Sequence, residues 1–123
     1  MKQDYKLIKN ILITMEEYPE YRISQNELTE KIHVETQDKF IGHILLLGDS
    51  QFIECDSKQS EYGFRYGSGG DLSKENCNYR LTVKGYEFLE ILKNDTLFQK
   101  IKNYVLTIAL EVGKELLIKS IKM

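Results

Sequence analysis

The sequence of 123 residues holds few side chains whose types and spacing could support catalysis or metal binding. Its thiol and imidazole groups are two cysteines, Cys55 and Cys77, and two histidines, His33 and His43. Four such groups can hold zinc, but this spacing fits no compact ligand motif. No Ser/His/Asp, Cys/His or paired-carboxylate set has a mechanistic spacing either. We therefore expect a protein that is not an enzyme and that uses no metal and no cofactor.

Cations are the other residues that could bind a ligand, and their distribution along the chain is uneven. The whole chain has a formal net charge of -2, without the basic excess of most DNA-binding domains. Residues 16–38 carry seven acids against two cations, whereas residues 58–84 carry five cations against three acids. Residues 1–15 and 96–123 have net charges of +2 and +3. One small domain is therefore expected to present an acidic face and separate cationic segments.

Predicted helices position these residues in the first third of the chain. Apolar residues at helical spacing predict a helix over residues 4–17, which Pro19 ends. After the extended segment "YRIS", Ser24 and Glu27 have the spacing of a capping box, which begins a second, short helix.

A third helix is predicted from near Thr36 through Leu47. Its apolar residues would face the core, which places Lys39 and His43 on the opposite, outer side. Gly48, followed by two polar residues, would end the helix.

Two strands and a long polar connection follow. "QFIEC" and "YRLTV" have strand character, and residues 57–78 contain four glycines. Thr82 would cap a helix that starts directly after the second strand and buries Tyr86. Gly85 in its first turn lacks a Cβ, so the helix and the hairpin can approach closely, at a cost in helix propensity of ~1 kcal/mol.

The predicted fold class is α+β, mainly helical. The order helix, extended segment, helix, helix, strand, loop, strand, helix is that of a winged helix-turn-helix domain. Residues 1–95 would form this domain, with a two-stranded wing whose loop spans about residues 57–78. Residues 96–123 would form a long C-terminal helix that opens at the capping box of Thr96 and Gln99.

The predicted C-terminal helix is too apolar to rest on one small domain alone. It carries two apolar stripes, and a helix packed on one surface needs only one. The second stripe is expected to pair with the same helix of a twofold-related copy, giving a homodimer. A helix on a membrane surface is the rival interpretation because lysines flank the stripes, but the wide apolar arc favours dimerisation. The stripe assigned to the dimer interface consists of Leu106, Leu110, Gly113, Leu117 and Ile121.

One short motif and three longer stretches resemble known proteins. "LTVKGYEFL" resembles the LT-x-x-G-x-x-(F/L)-L ending of winged-helix regulators. "MKQDYKLIKNILITMEE", "FIGHILLLGDSQFIE" and "YRLTVKGYEFLEILKNDTLFQKIK" are similar to domain-of-unknown-function family 2513, short proteins from bacterial genomes and their prophages. The family pattern of a histidine, a leucine pair and a small-residue turn is matched by His43, Leu46, Leu47, Gly48 and Asp49. "DSQFI" stands where many relatives have "AGLI". The resemblance implies a winged helix and a prophage setting, with no catalytic residues and no established activity.

Two functions from different classes agree with these features. In the first, a dimeric winged-helix regulator binds duplex DNA through the third helix and the wing. The expected DNA contacts are Lys39, His43, Arg65, Lys74 and Arg80. Tyr62, Phe64 and Tyr66 would lie along a groove or stack on unpaired bases, with a merely solvated loop as the alternative.

In the second function, the same fold is a protein-interaction module. The acidic surface of residues 16–38 would attract a basic partner, as in a phage-encoded inhibitor of a host nucleic-acid enzyme that imitates a phosphate backbone. In both cases the cytoplasm is the expected location, because "MKQDYKLIKN" lacks the apolar run of a signal peptide. Both cysteines are then expected to be free thiols.

Overall fold

The computed structural model describes residues 1–57, 60–67 and 69–121, and this part of the chain is an α+β fold that is 57% helical. This described part contains six helices and five short strands. The helices are α1 (Tyr5–Glu17), α2 (Gln25–Lys31), α3 (Gln37–Asp49), α4 (Val83–Lys93), α5 (Asp95–Ile101) and α6 (Leu106–Ile121). The strands are β1 (Ile23–Ser24), β2 (Ile53–Cys55), β3 (Phe64–Tyr66), β4 (Leu72–Lys74) and β5 (Asn78–Leu81). Their order along the chain is α1 β1 α2 α3 β2 β3 β4 β5 α4 α5 α6.

Strand β5 is the centre of a three-stranded antiparallel sheet with the order β1-β5-β2. Ile23 of β1 and Cys55 of β2 both pair with Tyr79 of β5. Because side chains alternate along a strand, Tyr79 and Leu81 are buried while Arg80 between them is exposed. The sheet therefore has one face on the core and one face in solvent.

Short polar side chains set the helix starts, as the sequence predicted for Ser24 and Thr82. The Ser24 hydroxyl accepts from the Glu27 N–H at 3.1 Å, and the Thr82 hydroxyl accepts from the Gly85 N–H at 3.0 Å. Thr36 caps α3 in the same way through the Lys39 N–H. Each cap satisfies a backbone donor that the helix itself leaves unpaired.

The close junction of β5 and α4 brings helix and sheet into backbone contact. A Cβ on Gly85 would lie 2.1 Å from the carbonyl oxygen of Phe52, the residue before β2. That same carbonyl accepts the Thr82 N–H at 3.1 Å. The Phe52 ring stacks on Phe88 of α4 at 4.5 Å between ring centroids. The expectation that Gly85 permits a close approach is therefore confirmed.

The segment 57–78 is more structured than the predicted loop. Strands β3 and β4 form a separate antiparallel hairpin, with Phe64 opposite Lys74. Phe64 is buried in the core, so this hairpin is anchored to the domain. Residues 58, 59 and 68 of the predicted loop lie outside the described part of the chain.

The role predicted for Gly48 is wrong. Helix α3 continues through Asp49, and the residue with positive φ after it is Gln51, at 65°. Gly48 instead lies beneath the Tyr62 ring, where a Cβ would come within 2.2 Å of a ring carbon. The glycine is needed for a tertiary contact, which the helix-stop pattern could not reveal.

The prediction of a single long C-terminal helix is also wrong. Helix α5 ends at Ile101 and α6 begins at Leu106, with turns between them. The cap of α5 is Asn94, whose side chain accepts from the Leu97 N–H at 3.1 Å. At the start of α6, the Leu106 N–H donates to the Gln3 side-chain oxygen at 2.8 Å. The side chain of Gln3, near the other end of the chain, thus satisfies a backbone donor at the start of α6.

The buried face of α4 differs from its prediction at one position. Tyr86 is 47% exposed, whereas Ile91 is buried and packs toward α6. Helices α5 and α6 both pack against α4, and Ile91 lies against Gly113 of α6.

Candidate nucleic-acid interface

Lys39 lies in the first turn of α3, where its charge is already balanced. Its ammonium is 2.9 Å from an Asp4 carboxylate oxygen and 4.0 Å from Glu35. The hydrogen bond from Lys39 holds the pKa of Asp4 below its usual value, and the same bond raises the pKa of Lys39. A phosphate contact at Lys39 would therefore compete with Asp4.

The outward position predicted for His43 is wrong, because the side chain is completely buried. The Asp4 N–H donates to Nε2 at 2.9 Å, and Nδ1 donates to the Lys39 carbonyl at 2.7 Å. This pattern requires a neutral imidazole with its proton on Nδ1. Residues 1–4 lie over the outer side of α3, so His43 is not accessible to a DNA contact.

The rest of the outer side of α3 offers little to a DNA base. A Cβ on Gly42 would come within 2.5 Å of the Met1 sulfur, so the N-terminal segment also covers this position. The exposed positions of α3 are Gln37, Asp38 and Asp49. Two of these three residues are acids, which phosphates repel.

The predicted wing presents its cations in two different ways. Arg65 on β3 and Lys74 on β4 are exposed, and neither has a carboxylate within 4.0 Å among the described residues. Arg80 is directly opposite Glu54 in the β2–β5 register, and its guanidinium lies 2.5 Å from that carboxylate. Arg65 and Lys74 are therefore the more available of the three cations.

The aromatic residues of the predicted wing are largely committed to the protein. Phe64 is buried, and Tyr62 is half-buried over Gly48. The side chain of Tyr66 lies outside the part that the structure describes. The prediction that Phe64 stacks on unpaired bases is therefore wrong, because its ring has no exposed face.

A cationic cleft that the sequence analysis missed lies between the start of α1, the first turn of α3 and the α5–α6 junction. We call it the lysine cleft; its volume is about 530 Å³. The charged residues that line it are Lys2, Asp4, Lys6, Lys39 and Lys102. The signal was present as positive net charge in segments 1–15 and 96–123, but sequence alone does not show that these segments meet.

The acidic surface lies on α1, α2 and the turn between them. Glu17, Glu20 and Glu30 are exposed, and no described cation lies within 4.0 Å of them. Burial, and then the negative charges of Glu27 and Glu20, raise the pKa of Tyr18 in this region. Glu16 differs from its neighbours because it pairs with Lys93 of α4 at 2.5 Å.

The stripe predicted for dimerisation packs within its own chain. Leu106 and Leu110 are each 2% exposed, and a Cβ on Gly113 would come within 2.7 Å of Ile91. The prediction that these three residues form a dimer interface is therefore wrong. Leu117 is 38% exposed, and the side chain of Ile121 lies outside the described part.

The apolar residues that α6 presents to solvent lie on its other side. Val105, just before the helix, and Ile108 and Ile118 within it are about half exposed, at 56%, 47% and 52%. None of the described helices, α6 included, combines the length and apolar character needed to cross a bilayer.

The two cysteines are free thiols. Cys55 is half-buried opposite Tyr79, which puts buried Cys77 on the diagonal of the β2–β5 pair. Burial raises the pKa of the Cys77 thiol to about 12. Among the described residues, no three His, Cys, Asp or Glu side chains form a group that could hold a metal ion.

The chain matches the family described as "Hypothetical protein (DUF2513)" over residues 2–111 and belongs to that family. The match extends from the segment before α1 into α6, so it includes the β1-β5-β2 sheet and every residue that lines the lysine cleft. Neither the curated proteins nor the solved structures gave a match.

Proposed function

We propose that the chain is a winged helix-turn-helix protein that binds duplex DNA as a transcriptional regulator of prophage type. The observation that carries the proposal is the topology: α1, α2 and α3 pack with the β1-β5-β2 sheet, and the connection from β2 to β5 carries a hairpin with exposed Arg65 and Lys74. In a winged helix, α2 and α3 would be the helix-turn-helix pair and this hairpin the end of the wing.

The cations favour a binding mode dominated by the DNA backbone. Base reading would need several polar side chains along the exposed side of α3, and that side offers Gln37 beside two acids, Asp38 and Asp49. Arg65 and Lys74 are free to meet phosphates, which supply most of the affinity of sequence-independent binding. We therefore expect modest sequence preference and strong salt dependence.

Fluorescence anisotropy with a random-sequence duplex at low and moderate salt tests the proposal. We expect binding at low salt that weakens steeply as salt rises. Arg65→Ala should weaken binding and lower the salt slope by about 1, because one phosphate contact is lost. Lys119→Ala, an exposed lysine near the end of α6, is the control. Absence of binding even at low salt would contradict DNA binding.

A protein-interaction module is the second candidate function, and the uncompensated acids of α1 and α2 favour it. Glu17, Glu20 and Glu30 could meet a basic partner through charge complementarity. The test compares partner capture by the wild type, by Glu17→Gln/Glu20→Gln/Glu30→Gln and by Arg65→Ala. A partner that only the glutamine variant loses would support this function, and a partner lost only with Arg65→Ala would count against it.

The proposed regulator is a dimer, with a revised interface. Val105, Ile108 and Ile118 support contact with a second copy, because exposed apolar side chains along one helix are a common interface feature. The residues of the earlier predicted stripe that pack on α4 have no part in this interface.

A further inference from the structure

We propose that the lysine cleft is the site where the phosphate backbone of duplex DNA binds. This inference rests on the proposed function and deepens it, because it locates the main phosphate contacts away from the exposed side of α3. The principal residues are Lys2, Lys6 and Lys102, with Lys39 at the inner edge.

The charge of the cleft suits a phosphate. Four lysines and one aspartate line it, so its formal net charge is +3. The aspartate, Asp4, is already engaged: its carboxylate accepts from the N–H groups of Lys6 and Leu7 and from the Lys39 ammonium. Lys2, Lys6 and Lys102 are exposed and have no carboxylate within 4.0 Å in the described chain. Three positive charges therefore remain available to a ligand.

The neutral residues that line the cleft also suit the sugar-phosphate backbone of DNA. Gln99 and Asn103 line it and supply amide donors, which proteins use on phosphate and sugar oxygens. Lys9 lies 5.3 Å from the centre of the Phe98 ring, so a further ammonium is held beside the cleft.

The position of the cleft is consistent with a helix-turn-helix complex. In such complexes the N-terminal residues of the recognition helix approach the groove, and flanking cations meet the adjacent phosphates. Lys39, in the first turn of α3, lines the cleft. A strand of DNA that passes this end of α3 would therefore enter the cleft directly.

The shape of the cleft favours a nucleic acid over an anionic membrane. A DNA strand is a projecting ridge of regularly spaced phosphates, and a concave surface can meet it with several lysines at once. A flat bilayer would contact the rim and leave Lys39, which is half-buried, out of reach. A membrane is therefore an alternative that the experiment must separate.

The experiment compares two double variants by DNA anisotropy over a range of salt concentrations. Lys6→Gln/Lys102→Gln removes two charges from the cleft, and Lys31→Gln/Lys119→Gln removes two exposed charges elsewhere. We expect the slope of log affinity against log salt to fall by about 2 for the cleft variant. The control variant should keep the wild-type slope. Thermal unfolding of all three proteins checks that each is folded.

Each outcome has a distinct meaning. Equal slopes for the two double variants, with a wild type that binds DNA, would overturn the cleft as the site and leave DNA binding in place. A wild type that does not bind DNA would overturn the proposed function and the cleft assignment with it. Binding to phosphatidylserine vesicles that the cleft variant loses, without any change in its DNA binding, would assign the cleft to a membrane.

Discussion

The His43 ring bonds to the segment before α1 through Nε2 and to the Lys39 carbonyl of its own helix α3 through Nδ1. Replacing it with alanine leaves the Asp4 N–H without a partner, removes the side-chain hydrogen bond to the Lys39 carbonyl and leaves a cavity in a fully buried place. We expect His43→Ala to lower the free energy of unfolding by about 2–4 kcal/mol. Urea denaturation followed by circular dichroism measures this difference.

His33 provides a matched control for that experiment. It is exposed after α2, so His33→Ala should change the free energy of unfolding by less than about 0.5 kcal/mol. Equal effects of the two substitutions would show that His43 is not a buried connector.

The ionisation of Asp4 makes the free energy of unfolding depend on pH in the acid range. Its pKa is held below the ordinary value of 3.8, chiefly by the hydrogen bond from Lys39. When folding lowers the pKa of a carboxyl group, the charged group stabilises the folded state. This stabilisation is complete at pH values above the unfolded-state pKa and is lost as the pH falls through the folded-state pKa. Asp4→Asn keeps a good N-cap but removes the charge.

We therefore expect wild type to be more stable than Asp4→Asn near neutral pH. The difference should begin to shrink as the pH falls below about 3.8, the unfolded-state pKa, and should approach zero once the pH has fallen through the lower folded-state pKa of Asp4. Chemical unfolding across this pH range checks the prediction. A difference that stays constant with pH would mean that the ion pair with Lys39 contributes nothing.

Single residues were predictable where local chemistry decides their role. Ser24 and Thr82 were recognised as caps because a cap depends on the next three residues. His43 was misplaced because its burial depends on residues 1–4, which periodicity in α3 does not report. Polar side chains buried by distant parts of the chain carry no local sequence signal.

At the scale of elements, the β5–α4 junction gives the clearest prediction. Gly85→Ala would gain about 1 kcal/mol in helix propensity. The new Cβ would nevertheless lie 2.1 Å from the Phe52 carbonyl, so the backbone must shift, and crowding of this kind costs about 1–3 kcal/mol. We expect a net destabilisation on the order of 1 kcal/mol, measured by urea unfolding. Lys84→Ala, exposed in the same turn, should be nearly neutral; equal behaviour of the two variants would contradict a crowded junction.

The order of elements was predictable, whereas the break between α5 and α6 was not. Apolar periodicity continues from Phe98 through Val105, and no glycine or proline interrupts it. The break is stabilised by tertiary contacts, in which Gln3 accepts from the Leu106 N–H and the Tyr5 hydroxyl donates to the Tyr104 carbonyl. The same limitation applies to the lysine cleft, in which residues from near both ends of the chain meet Lys39 of α3.

At the scale of the whole molecule, the solvent-facing side of α6 predicts self-association. Ile108→Glu places a charge among the exposed apolar side chains of α6 and should convert a dimer into a monomer. Light scattering coupled to size-exclusion chromatography at micromolar concentration measures the mass. Thr107→Glu, at a neighbouring exposed polar position, is the control. A wild-type monomer would contradict the dimer itself.

The contacts of Gln3 and Tyr5 also bear on how the protein is made. Gln3 and Leu106 are 103 positions apart, and Tyr5 and Tyr104 are 99 apart. On a ribosome that adds ~5–20 residues per second, the N-terminal segment waits roughly 5–20 s for these partners. Helices α1 to α4 can pack during that interval, but the start of α6 has no cap until it reaches Gln3. Docking of the last helix is therefore expected to be a late event in the folding of each newly synthesised chain.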